Sequence, residues 1–145
     1  MSMYLLIPLV ALVITQFFKL GVDYVRGTTR GFSWSDLNSY GGMPSAHSAM
    51  FASSITVVAY RLGVDSFAFA ISVIMYLVVV RDAMGIRWHL GEHGAILKQL
   101  IEEHVKDHDH ITHDKIVTRL GHRPIEVAVG TLCGVVIAFI MMAAF

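Results

Sequence analysis

Four long apolar stretches constrain the fold of this 145-residue chain more than any other feature. They cover residues 3–18, 45–60, 67–80 and 125–145. The chain is 55% hydrophobic and only 15% charged, whereas soluble domains carry about 25% charged residues. Crossing a bilayer takes roughly 20 residues, which the last stretch reaches unaided and the others reach with flanking residues or by tilting. The sequence therefore predicts an all-α integral membrane helical bundle of about four transmembrane helices.

Two of these stretches have alternatives. The second is rich in Ala and Ser, so a helix buried in a soluble core remains a competing interpretation for it. The first lacks a basic leader and a small-residue cleavage site, and it is therefore interpreted as a retained helix, not a signal peptide. The length of the chain fits a single membrane-embedded domain over residues 1–145.

Basic residues are distributed unevenly between the two ends of the predicted helices. If the helices alternate in direction, ten of the eleven Lys and Arg residues fall on one side and only Arg61 falls on the other. Positive loops stay in the cytoplasm, so this side is predicted to be the cytoplasmic face of the cell membrane, with the N-terminus outside. The formal net charge of zero disfavours nucleic acid as a partner.

A long polar insertion, at about residues 88–120, follows the third stretch. It contains a predicted interfacial amphipathic helix over residues 92–105, with Ile96, Leu97, Leu100 and Ile101 on one face. The insertion is rich in histidine, and the spacing of His104 and His108 suits zinc binding on a helix. The alternatives are a solvated loop over the headgroups and a segment with a pH-responsive or lid role.

Polar residues that could perform chemistry lie at the predicted cytoplasmic helix ends. Lys19 and Arg26 are seven residues apart and share one face if the helix continues through Gly21, so they could bind phosphate or act as interfacial anchors. Arg87 follows the third stretch and could clamp a phosphate with its guanidinium group.

Two histidines accompany predicted helix starts on the same side. Ser45 is a candidate N-cap, and His47 lies in the following turn, where free amides favour an anion. His122 and Glu126 are four residues apart, so the carboxylate could hold one imidazole nitrogen and leave the other free to attack. Plain helix capping is the alternative at both starts. Converging cations, amide donors and two histidines are what phosphoryl transfer needs.

The order of these motifs resembles the type 2 phosphatidic acid phosphatase and vanadium-dependent haloperoxidase superfamily. The motifs are Lys-x6-Arg, Pro-Ser-x-His and His-x3-acid followed by Val-x-x-Gly, and Gly-Gly-Met-Pro-Ser-Ala-His-Ser-Ala is closer still to its divergent, short membrane branch. The resemblance implies that His122 is a nucleophile oriented by Glu126 and that His47 is the general acid and then the base. It also implies that the phosphate is bound by Lys19, Arg26, Ser45, the Ala46 amide and Arg87. No metal or other cofactor is needed in this scheme.

The chain departs from the superfamily pattern at several positions. Arg26 is followed by glycine instead of proline, and Ala46 stands where glycine is usual. Glu126 replaces the usual aspartate. Arg87 lies 35 residues before His122, so a long insertion is required; His93 has the family spacing from Arg87 and is an alternative nucleophile, although leucine stands where its acid should be.

The function implied is hydrolysis of a lipid phosphate monoester at the cytoplasmic face, with a phosphatidylglycerophosphate- or phosphatidate-like substrate. Three alternatives stay open: a polyprenyl diphosphate phosphatase, a metal-dependent hydrolase using the histidine-rich loop, and a non-catalytic lipid-phosphate-binding subunit. The expected partners are the lipid substrate and the bilayer. A homodimer is also compatible with the sequence, and the small residues Gly130 and Gly134 could serve either its interface or helix packing within the chain.

Overall fold

The structure, a computed structural model, describes residues 2–27, 42–104 and 120–144. Its described part is helical without strands, which confirms the predicted all-α class. In chain order the helices are α1 (Met3–Val25), α2 (Ala46–Leu62), α3 (Phe67–Met84), α4 (Ile86–His104) and α5 (Pro124–Ala144).

Three helical stretches of the described chain are long and apolar enough to cross a membrane: Met3–Val25, Phe67–Ile101 and Pro124–Ala144. The first apolar stretch does continue past its lysine, because α1 runs through Lys19 and Gly21 to Val25. The second predicted stretch forms α2, which has 17 residues and is less apolar than the other three predicted spans. The predicted helical membrane bundle is therefore confirmed.

The Ala- and Ser-rich helix α2 is central to the bundle and packs against α1, α3 and α5. Val57 of α2 is fully buried and forms the hydrophobic core with Ile7 of α1 and Ala138 of α5. Small side chains let neighbouring helices approach closely, which explains why the least apolar of the four predicted spans is so extensively buried.

The glycine pair Gly130 and Gly134 lies against α2. A Cβ added to Gly130 would overlap the Ser45 carbonyl oxygen, and one added to Gly134 would overlap the Ala49 carbonyl oxygen. The prediction of close packing within the chain is therefore confirmed. The face of α5 that carries these two glycines is covered by α2, and the homodimer stays a prediction.

Contacts between the helices fix their directions. Gly130 and Gly134 of α5 match Ser45 and Ala49 of α2 in the same order, so these two helices run in parallel. At the opposite end of α2, the Arg61 guanidinium lies 3.4 Å from the sulfur of Met3, so α1 runs antiparallel to α2.

Helix α3 runs antiparallel to α5. The Tyr76 hydroxyl lies 2.5 Å from the Thr131 hydroxyl, and the His122 amide donates to the Ala83 carbonyl at 2.9 Å. The ends of α1 and α3 and the starts of α2 and α5 consequently meet at one end of the bundle.

Gly85 separates α3 from α4, and its amide donates to the Arg81 carbonyl at 2.9 Å. The predicted amphipathic helix is present, but its predicted start at residue 92 is wrong because α4 begins at Ile86. Ile86 and Leu90 lie on the same face of the helix as Leu97 and Leu100, so the amphipathic pattern begins before residue 92. The side chains of the proposed metal pair His104 and His108 lie outside the described residues.

Candidate active site

Helix α1 contributes a buried cation to the end of the bundle where the histidines lie. Lys19 is only 4% exposed, and Asp23, one turn later on the same face, is 6% exposed. Arg26 caps the C-terminus of α1 and is exposed. Since α1 is continuous through Gly21, the condition for Lys19 and Arg26 to share a helix face is met.

Gly42 lies directly against this part of α1. Its φ is +99°, and a Cβ added there would lie 2.8 Å from Lys19 Cε and 3.3 Å from the nearer carboxylate oxygen of Asp23. Only glycine combines this backbone conformation with such close approach. Gly42 therefore lets the chain that enters α2 pass over Lys19 and Asp23.

Ser45 caps α2, as the sequence predicts. Its Oγ accepts the Ser48 amide at 3.4 Å and the Ser48 hydroxyl at 2.9 Å, and its own amide donates to the Glu126 carbonyl at 3.0 Å. Ser45 is 1% exposed, so its first role is structural. The amides of Ala46 and His47 belong to the first helical turn, where amide groups have no partner within the helix.

Glu126 joins helix capping to the orientation of an imidazole. Its Oε2 lies 3.1 Å from His122 Nδ1 and accepts the Arg123 amide at 3.2 Å. Because α5 begins at Pro124, Glu126 occupies the third helical position, from which an acid reaches back to the capping residue. The side chains of His122 and Glu126 are 13% and 11% exposed, so water competes little for this hydrogen bond. Glu126 therefore both caps α5 and holds the His122 ring.

The two histidines of the sequence motifs lie near each other. His47 is exposed at the start of α2, and it interacts electrostatically with His122, Arg87 and Lys19. These residues come from four different segments of the chain. The fold thus brings two imidazoles and two cations to one end of the bundle.

Arg87 is held by a carboxylate. Its Nε lies 2.6 Å from Oδ2 of Asp82, and the two side chains are 51% and 42% exposed. Five residues apart, they would lie on different faces of a continuous helix. The break at Gly85 lets them meet, and Nε is the Arg87 nitrogen that contacts Asp82.

A cavity of about 570 Å³ adjoins Glu126, between the end of α1, the helix α4 and the start of α5. Its lining combines two arginines, two glutamates and a tryptophan with small and apolar residues. The lining residues are Arg26, Gly42, Trp88, Gly91, Glu92, Ala95, Leu120, Gly121, Arg123 and Glu126. Gly121 closes one side, since a Cβ on it would lie 2.7 Å from the Trp88 amide nitrogen.

The alternative nucleophile His93 lies on the exposed surface of α4. Among the described residues, no carboxylate makes a hydrogen bond with it, whereas Glu126 does so with His122. The described residues also contain no group of three His, Cys, Asp or Glu side chains that could hold a metal ion. The oriented imidazole of this site is therefore that of His122.

Sequence reasoning missed the two aspartates of the site. Asp23 follows Lys19 by four residues, a spacing that indicates neighbouring charges on a helix and could have found it. Asp82 had no comparable signal, because its contact with Arg87 depends on the helix break at Gly85.

Comparisons with known proteins identify the family of the chain. The family model described as "Divergent PAP2 family" matches residues 1–137. The uncharacterized membrane protein YuiD of Bacillus subtilis (strain 168) is 33% identical over 147 aligned residues, which cover 94% of this chain and 92% of YuiD. No solved structure matches the chain. By its motifs, its helical bundle and these matches, the chain belongs to the divergent PAP2 family of membrane proteins.

Proposed function

We propose that this protein is a lipid phosphatase that hydrolyses a phosphate monoester of a membrane lipid through a phosphohistidine intermediate. The observation that carries the proposal is the pairing of His122 with Glu126 beside His47. The carboxylate accepts the Nδ1 proton of His122, so the lone pair of Nε2 is available for attack. Membership of a PAP2-like family supports the same reaction class.

In the first step, His122 Nε2 forms a bond to phosphorus and the bond from phosphorus to the ester oxygen breaks. A bound phosphate, whose negative charge offsets the nearby cations, allows His47 to be protonated, and His47 gives this proton to the leaving alkoxide, which departs as the lipid alcohol. Glu126 stabilises the positive charge that develops on the His122 ring. The exposure of His47 suits this role, because the leaving group must be able to reach it.

In the second step, the now neutral His47 takes a proton from water, and the water oxygen attacks phosphorus. The bond between phosphorus and Nε2 breaks, inorganic phosphate leaves, and both histidines return to their starting states. The same residue therefore acts first as acid and then as base.

Cations and amides would neutralise the phosphate oxygens during both steps. Lys19 supplies a fixed charge because it is buried against Gly42. Arg87 can keep Nε on Asp82 and offer its two terminal nitrogens to two phosphate oxygens. Arg26 and the Ala46 amide complete the set, and the Ser45 hydroxyl remains a predicted donor.

The position of the site supports the proposed substrate class. The site lies at the ends of helices long and apolar enough to cross a membrane, where lipid headgroups would be, so the proposed substrate is a phosphatidylglycerophosphate- or phosphatidate-like monoester. The ten-to-one distribution of basic residues favours the cytoplasmic face.

The decisive experiment measures phosphate release by purified protein in detergent from a panel of phospholipid monoesters and polyprenyl diphosphate. Wild type should hydrolyse a lipid monoester, and His122→Ala and His47→Ala should not. His93→Ala is the matched control, since this exposed histidine has the superfamily spacing from Arg87 but lacks an orienting acid. Loss of activity in His93→Ala with retention in His122→Ala would contradict the mechanism.

Absence of activity in wild type on every substrate, together with phosphate-lipid binding, would instead indicate the non-catalytic alternative. In that case His122→Ala should bind the lipid as well as wild type does.

A further inference from the structure

One face of α4 belongs to the cavity beside Glu126. Trp88, Gly91, Glu92 and Ala95 line that cavity. Their separations of three, four and seven residues place them on a single side of the helix. Gly91 and Ala95 are small, so the space under this face stays open for part of a ligand.

The opposite face of α4 is an exposed, mainly apolar stripe formed by Ile86, Leu90, Leu97 and Leu100, with the exposed His93 between them. The four apolar side chains are 69%, 51%, 52% and 50% exposed. At 100° per residue, the centre of the stripe lies on the far side of the helix from the cavity face. An apolar stripe of this size on a surface helix requires a partner.

The connection to α3 indicates what that partner is. Helix α3 provides the apolar part of a stretch that can cross a membrane, and α4 leaves it directly at Gly85. Gly85 lies at the same end of the bundle as His122, because the His122 amide binds the Ala83 carbonyl. Helix α4 therefore starts at the membrane boundary, where an amphipathic helix can lie in the interface with its apolar face among the lipids.

We propose that the apolar stripe of α4 binds the lipid bilayer and thereby holds α4 as one wall of the cavity. The cavity on the other side of α4 is then a subsite for the polar part of a lipid headgroup whose phosphate meets His122. The use of the cavity rests on the proposed function, whereas the membrane contact of α4 does not. The partner that the stripe contacts is the lipid bilayer.

Site-directed spin labelling tests the membrane contact without any need for activity. Single cysteines replace Leu90, Leu97 or Gln99 in a Cys133→Ser background, and the labelled protein is placed in liposomes of anionic phospholipid. Labels at positions 90 and 97 should be accessible to oxygen dissolved in the bilayer. The label at position 99 should be accessible to a water-soluble nickel chelate, because exposed Gln99 lies on the cavity side of α4.

Two results would overturn the membrane contact. One is access of the nickel chelate to positions 90 and 97 equal to that at position 99. The other is magnetic broadening between labels on separate molecules at positions 90 and 97, which would show that a second copy covers the stripe.

Hydrolysis assays test the consequence for the substrate. The double variant Leu90→Ser/Leu97→Ser should lose activity on long-chain phosphatidate in vesicles but keep activity on a short-chain phosphatidate below its micelle concentration. Ala95→Leu, which fills the cavity, should lose activity on both substrates.

The two proposals fail in different ways. If wild type hydrolyses neither substrate, the proposed function fails and the labelling result stands by itself. If the double variant loses both activities equally or neither, the role of the stripe in substrate access is wrong while the phosphatase assignment remains.

Discussion

Glu126 accepts hydrogen bonds from two neighbours with one oxygen: from His122 Nδ1 at 3.1 Å and from the Arg123 amide at 3.2 Å. The second bond caps α5, and the cap fixes the carboxylate that orients the imidazole. Glutamate, one methylene longer than the aspartate usual in the superfamily, therefore reaches both groups without distortion of the helix. The negative charge of Glu126 acts on His122, whereas its capping bond acts on helix stability, so the two roles can be tested separately.

Replacing Glu126 by Gln should lower kcat strongly while the protein stays folded. Glutamine keeps an oxygen that can accept the Arg123 amide, but it removes the negative charge that stabilises a positive His122 ring. We expect a loss on the order of 10²-fold in phosphate release, the lower end of acid–base contributions. Thermal unfolding in detergent provides the control, and a large fall in the unfolding temperature would mean that capping is its main role.

Replacing His47 by Ala should make the rate depend on the leaving group. Without a proton donor, expulsion of a lipid alkoxide should slow by roughly 10²–10⁴-fold. An aryl phosphate, whose phenolate leaves without protonation, should lose much less in its first step. The measurement is burst-phase release of the phenolate compared with lipid hydrolysis. Equal losses for both substrates would argue against His47 as the general acid.

Gly42→Ala should raise KM for the phosphate substrate by displacing Lys19. The new Cβ would lie 2.8 Å from Lys19 Cε. Alanine at this positive φ would also destabilise the backbone by about 1–2 kcal/mol. Gly63→Ala is a matched control, because Gly63 has φ +83° with nothing within 4 Å of the added Cβ. A similar KM in both variants would show that Gly42 has no particular relation to Lys19.

Gly134→Ala should destabilise the bundle, at the upper end of about 1–3 kcal/mol, because its Cβ would overlap backbone atoms of Ala49. Gly21→Ala in α1 has nothing within 4 Å and should instead stabilise its helix by about 0.5–1 kcal/mol. Chemical denaturation in mixed micelles measures both. Equal stability of the two variants would contradict close packing of α5 on α2.

Chelation and vanadate distinguish the histidine mechanism from a metal-dependent one. If His122 is the nucleophile, EDTA should leave activity intact and vanadate, which mimics the pentacoordinate phosphoryl group, should inhibit it. Loss of activity in EDTA with recovery on adding zinc would favour the histidine-rich loop as the catalytic site. The assay is phosphate release from the best lipid substrate of the panel.

The sequence alone identified a helical membrane protein, because apolar stretches of this length are typical of membrane-spanning helices. It also determined the local chemistry at α5: the four-residue spacing of His122 and Glu126 dictates their contact once a helix forms, and Pro124 marks where that helix begins. The cap at Ser45 could be predicted for the same reason, since it depends only on residues within one turn.

Relations between distant segments were decided by the tertiary structure. The passage of Gly42 over Lys19 and Asp23, the contact of Arg87 with Asp82 across the Gly85 break, and the central position of α2 follow from how helices pack. Periodicity within a helix reports which side chains share a face, but packing between helices depends on shape and close approach at positions far apart in the chain. The choice between His93 and His122 did not depend on that packing: the sequence already favoured His122, because Leu97 stands where the acid of His93 should be, and the structure shows His122 hydrogen-bonded to Glu126.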